Sequence, residues 1–169
     1  MKLFKNLLLV SVLILGFTAT QAQSKLGHIN IQELVSAMPQ TKQMEEDVKK
    51  AAMAYDADYA MQTDALQAKL QKYDQEAATQ TDSENQKRAL EVEEMKRKLE
   101  LFAQGAQQEL QKKQFDLYRP IEEKAQNAIK DVAAERGIIY VFDSSPGKGL
   151  IVFDKGENIF EAVKAKLGI

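Results

Sequence analysis

The chain of 169 residues has no cysteine, no tryptophan, three prolines and one histidine. Without cysteine there is no disulfide framework, no thiol nucleophile and no lipid-bearing cysteine of a lipoprotein. With His28 as the sole imidazole, zinc sites of the usual composition and histidine-based triads are poorly supplied. Positive charge is also scarce, since 23 basic residues stand against 25 acidic ones for a net charge of −2. The basic residues are interspersed with acids, which leaves no patch for nucleic acid. The first long apolar run, residues 7–17, is too short for a comfortable membrane span.

That run has another use. Lys2 and Lys5 precede it, and Thr20-Gln21-Ala22 supplies the small residues a signal peptidase reads. Residues 1–22 therefore form a secretory signal peptide cut after Ala22, with a retained anchor as the alternative reading. Removing the two lysines leaves 21 basic side chains against 25 acidic ones, so the mature chain is near −4. Few of its residues are free to build a compact core, because the middle is a long charged, Gln-rich stretch.

Residues 44–117 carry apolar positions that mirror one another about Gln80 and Thr81. Met44 faces Leu117, Ala51 faces Leu110, Tyr55 faces Ala106, Tyr59 faces Phe102 and Leu66 faces Met95, each pair of numbers summing to 161. Antiparallel helices that rise equally per residue require such a constant sum. These ten residues are the expected seam of a helical hairpin over 39–119, with its tip at 79–84. Pro39 suits the first turn of the first arm, and Thr81 with Glu84 has the form of a capping box for the second. Pro120 should kink the second arm where the mirror ends, and Gly137 should close it.

The remaining segments read as a small body. Residues 23–38 hold a short alternating strand and a helical turn, and residues 120–169 hold the end of the long helix, a β-hairpin of 138–142 and 150–153, and a last helix opened by Asn158 and Glu161. The fold class is α+β, a long antiparallel helical hairpin projecting from strands contributed by both ends of the chain. Three short strands cannot bury both faces alone, which calls for an oligomer. Ile29, Ile31, Ile139, Val141, Leu150 and Val152 are the expected oligomer-forming body residues.

No catalytic constellation emerges. His28 reads as a strand histidine near a subunit contact, and the clusters Glu45-Glu46-Asp47 and Glu91, Glu93, Glu94 read as solvated helix faces. The turn Pro146-Gly147-Lys148-Gly149 lacks the hydroxyl residue and following helix of a phosphate loop. No enzyme activity, cofactor or metal is expected. Met53, Met61, Ala65 and Phe115 lie off the seam and are the candidates for contact with another chain.

Three segments carry a family resemblance: GHINIQELVSAMPQTK (27–42), PIEEKAQNAIKDVAAERGIIYVFDSS (120–145) and GLIVFDKGENIFEAVKAKL (149–167). In their order, and with the long helical insertion between them, the chain resembles the Skp/OmpH family of periplasmic chaperones. The resemblance implies a jellyfish-like homotrimer in the periplasm, with helical arms around a cavity. It also implies an ATP-independent holdase whose partners are unfolded outer-membrane β-barrel proteins. An alternative is a structural or adaptor coiled-coil protein bridging envelope components. The family's best-known members are strongly basic, whereas this chain is acidic with Asp82 and Glu84 at its tip, which argues against direct contact with membrane or lipopolysaccharide.

Overall fold

The computed structural model describes residues 25–148, 151 and 153–169. The signal peptide and the body candidates Leu150 and Val152 lie outside the described residues. In order, the elements are β1 (Lys25–Ile29), α1 (Ile31–Ala37), α2 (Pro39–Glu76), one 3-10 turn (Ala77–Thr79), α3 (Asp82–Arg136), β2 (Ile138–Asp143), β3 (Glu157–Asn158) and α4 (Phe160–Leu167).

Two helices dominate. α2 has 38 residues and α3 has 55, or about 57 and 82 Å at 1.5 Å per residue. They pack on each other as the hairpin, and the surplus length of α3 becomes the base. Their ends are where the sequence places them. Pro39 opens α2, Thr81 caps α3 by accepting from the Glu84 amide at 3.2 Å, and Gly137 ends it in the left-handed region at φ 66°. Pro120 lies inside α3, next to buried Ile121.

The sheet has the order β2-β1-β3, with both neighbours parallel to β1. The expected hairpin of 138–142 and 150–153 falls partly on Leu150 and Val152, which lie outside the described residues. Ile151 and Phe153 belong to no strand, and the partner of β2 is β1. The whole helical hairpin is the crossover connection that a parallel pair requires. Gly27 makes room at the centre, since a β-carbon there would approach the Ile138 side chain to 3.2 Å and the Glu157 carbonyl to 3.3 Å. Lys25 stands opposite Ile138 but Leu26 opposite Tyr140, so Ile139 is the extra residue of a bulge.

The core lies where α1, the start of α2, the end of α3, the sheet and α4 converge. Ile29, Leu34, Met38, Ala125, Ile159 and Val163 are fully buried within it. α1 is held at its start by complete pairing of its N-terminal amides. Ile31 donates to the Asp143 carboxylate at 3.4 Å, Gln32 to the Ser145 hydroxyl at 3.1 Å, Glu33 to the Asn30 side chain at 3.0 Å, and Leu34 to the Asn30 carbonyl at 3.1 Å. At the other edge the Ile159 amide reaches the His28 carbonyl and the Asn158 side chain accepts from Phe160. No helix among the described residues is long and apolar enough to cross a membrane.

Candidate functional site

No cluster of metal-ligating side chains occurs among the described residues. His28 is buried in β1, with Nε2 at 3.3 Å from the Asp154 carboxylate and Nδ1 at 3.5 Å from the Ser144 hydroxyl. The first of these contacts fastens Asp154 to the sheet, and the second reaches the residue that follows β2. Lys148 turns back towards Asp143 at 4.0 Å, and the next helix begins only at Phe160, so the residues around Gly147 form a turn. Gly149 lies outside the described residues.

The arms are the larger feature. Of the ten seam candidates, Met44 and Leu66 are buried, while Ala51, Tyr55, Met95, Phe102, Ala106, Leu110 and Leu117 are half-buried. Tyr59 departs from its expected place, being 42% exposed, and the ring that meets Phe102 is that of Tyr55, edge-on at 6.1 Å between centroids. Steps of four residues advance 40° beyond a full turn, so a row running 51, 55, 59 rolls off the seam at its third member. Val92, missed as a seam residue, is buried.

The outer end of the arm is tied by charge. Lys69 pairs with Glu91, the Tyr73 hydroxyl donates to the same carboxylate, Arg88 pairs with Glu76 at 2.8 Å, and the Arg88 guanidinium lies over the Tyr73 ring at 4.6 Å. Hydrogen bonds from Lys69 and then Tyr73 hold the Glu91 carboxyl below its ordinary value. The same carboxylate raises both Lys69 and Tyr73. A network of this kind is invisible to apolar periodicity, although Tyr73 and Arg88, whose numbers sum to 161, fit the mirror.

Met53, Met61, Ala65 and Phe115 are all exposed. Leu90 and Leu101, which pattern reasoning passed over, are exposed as well, at 68% and 60%. Leu90, Leu101 and Phe115 are 11 and 14 residues apart, which places them within about 20° of one line along α3, roughly opposite the seam.

The body candidates divide. Ile29 is wholly buried in the core of its own chain and so is not available to a second copy, and Ile31 and Val141 pack partly against that core. Ile29 is interior because β1 is the central strand, paired on both edges. Ile139 is exposed, lifted out by its bulge, and with it are Leu26, Tyr140, Phe142 and the 78% exposed Phe153. Tyr140 and Phe142 stack on one face at 6.4 Å. From Tyr140 to Phe142, beyond the bulge, exposure alternates along β2 as a strand with one open face requires.

A family profile described as outer membrane protein (OmpH-like) matches residues 25–167. Chaperone protein Skp of Vibrio cholerae is 26% identical over 151 residues, covering 86% of this chain and 87% of that one. Chaperone protein Skp of Photorhabdus luminescens is 29% identical over 136 residues, covering 78% and 80%. Among solved structures, an OmpH-like protein of Caulobacter crescentus CB15 superimposes with a TM-score of 0.75 at 14% identity, covering 86% of this chain and 85% of that one. That likeness establishes the fold.

Proposed function

The chain belongs to the OmpH-like outer membrane protein family, and from that premise we propose that it is a periplasmic chaperone that holds unfolded outer-membrane proteins, without ATP, between the arms of an oligomer. The observation that carries this reading is apolar surface left uncovered along a projecting hairpin. Met53, Met61, Leu90, Leu101 and Phe115 are each exposed by 60% or more while most seam residues of the same helices are buried or half-buried. Glutamines and charges separate them, so each offers one weak contact. Flexible and dispersed contacts of this kind suit capture of many different chains and their release. The names of the curated relatives support the same function.

Assembly follows from the body. Leu26, Ile139, Tyr140, Phe142 and Phe153 form apolar surface that one chain leaves open, and copies joined through it would gather their arms on one side. The number three comes from the family resemblance.

The test is aggregation of an unfolded β-barrel protein diluted from urea. The mature protein at low micromolar concentration should keep it soluble without nucleotide, and failure to do so overturns the reading. Replacing Met53, Met61, Leu90, Leu101 and Phe115 by Ser should preserve helicity, because none is packed, and weaken client binding by about tenfold or more. A tight complex with one folded envelope protein, and no holding activity, would identify an adaptor instead.

A further inference from the structure

We infer that Met53 and Met61 are sites of reversible oxidation, where a hypohalous acid such as hypochlorous acid turns each thioether into a sulfoxide and so weakens the arm's hold on an unfolded chain. The effect on holding rests on the reading of the arms as client holders. The sites themselves rest on the structure of α2.

Methionine is the only sulfur-bearing residue type in the chain, which has six of them and no cysteine. Met1 lies outside the described residues, and the other five divide by exposure. Met38 is wholly buried, Met44 is 9% exposed and Met95 is half-buried, whereas Met53 and Met61 are 63% and 64% exposed. Met38 and Met44 belong to the core of the body, so an oxygen added there would place a polar group among apolar side chains. Met53 and Met61 lie outside that core, and an oxygen added to either changes the surface alone.

The local sequence makes the two sulfurs a pair. Met53, Ala57, Met61 and Ala65 follow one another in steps of four along α2, and all four are exposed. Side chains at that spacing lie one above the other on a helix. Alanine therefore stands between the two methionines and again beyond Met61, and it is too short to cover a thioether. The exposed apolar residues of α3, Leu90, Leu101 and Phe115, carry no sulfur. Only the α2 side of the arm's open apolar surface is subject to this chemistry, so hold is reduced by degrees while the fold is kept.

The step needs no group from the protein beyond the thioether. The sulfur gives up two electrons to the chlorine of hypochlorous acid, which leaves as chloride. One oxygen becomes bonded to sulfur and one proton is released. A flexible apolar side chain thereby becomes a polar one that gains less by leaving water. The reverse step takes two electrons and two protons from a dithiol through a methionine sulfoxide reductase, and the oxygen departs as water.

The test treats the assembled mature protein with a few equivalents of hypochlorous acid, quenches with free methionine and desalts before any client is added. Peptide mass mapping should find the added oxygen on Met53 and Met61 about tenfold sooner than on Met38 and Met44, with helicity and the mass by light scattering unchanged. Client affinity should fall about threefold on oxidation, and should return after treatment with dithiothreitol and the reductases for both sulfoxide epimers. Met53→Leu with Met61→Leu is compared only with itself, before and after oxidation, and its affinity should not respond. Equal conversion of Met38 and Met53, unchanged affinity after full conversion of Met53 and Met61, or the same fall in the leucine variant would overturn the inference. If the wild-type protein holds no unfolded β-barrel protein in either state, the chaperone reading fails and the effect on holding fails with it, while the mass map still decides whether the two sites are oxidised first.

Discussion

Asp143 closes the joint between the sheet and the first helix. Burial pushes its carboxyl up, but hydrogen bonds from the Ser145 hydroxyl and amide and the Ile31 amide, with Lys148 nearby, outweigh this and hold it below its ordinary value. A carboxyl more acidic in the folded state than in the unfolded one adds stability above the ordinary carboxylate range, and that stability is lost as pH falls through the folded value. Asp143→Asn should therefore lower the melting temperature at neutral pH, and its curve should converge on the wild-type one below about pH 4. Ser145→Ala removes the acceptor of the Gln32 amide and should cost about 1–2 kcal/mol by chemical denaturation. Little of this joint was legible in the sequence. Ser145 and Gln32 are 113 positions apart, and no local pattern says that they meet. Thr81 with Glu84 was legible because both partners of that cap lie within one turn.

Among the elements, periodicity located the hairpin, its tip and the caps of its second arm, because helix ends and helix faces are written in neighbouring residues. Tyr59 was misplaced for a related reason, since a row of fours was followed one step too far round a cylinder. Strand partners were not legible in that way. The apolar run 138–142 marks β2 but not the neighbour it takes, and the long insertion between them lets β1 pair with it in parallel. The seam itself is open to a double-mutant test. Leu66→Asp and Met95→Asp should each reduce helicity and thermal stability, and together they should lose less than the sum, with a coupling of about 0.5–3 kcal/mol if the two side chains meet. Strictly additive losses would separate them.

At the scale of the whole molecule, the described residues put packed core at one end and half-covered apolar rows along the rest. Acidic balance and missing cysteines show only that stability must come from packing, whereas the exposed sheet face shows where further packing is available. Tyr140→Asp with Phe142→Asp should leave the arms helical and release monomers, read as a fall in mass by light scattering. An unchanged mass would place the subunit contact elsewhere. The strand order carries one more consequence, for the sequence of events in folding. β1 is the first strand made, yet it is the middle strand, and both of its neighbours are made after the entire hairpin. Ile31 likewise waits 112 positions for the carboxylate that receives its amide. The hairpin can form from contacts near in sequence while the body still lacks its edges, and a chain cut short just before Ile138 would have the hairpin and no sheet. Such a product has nothing to pair with its first strand, so the body closes only after the whole hairpin has been made.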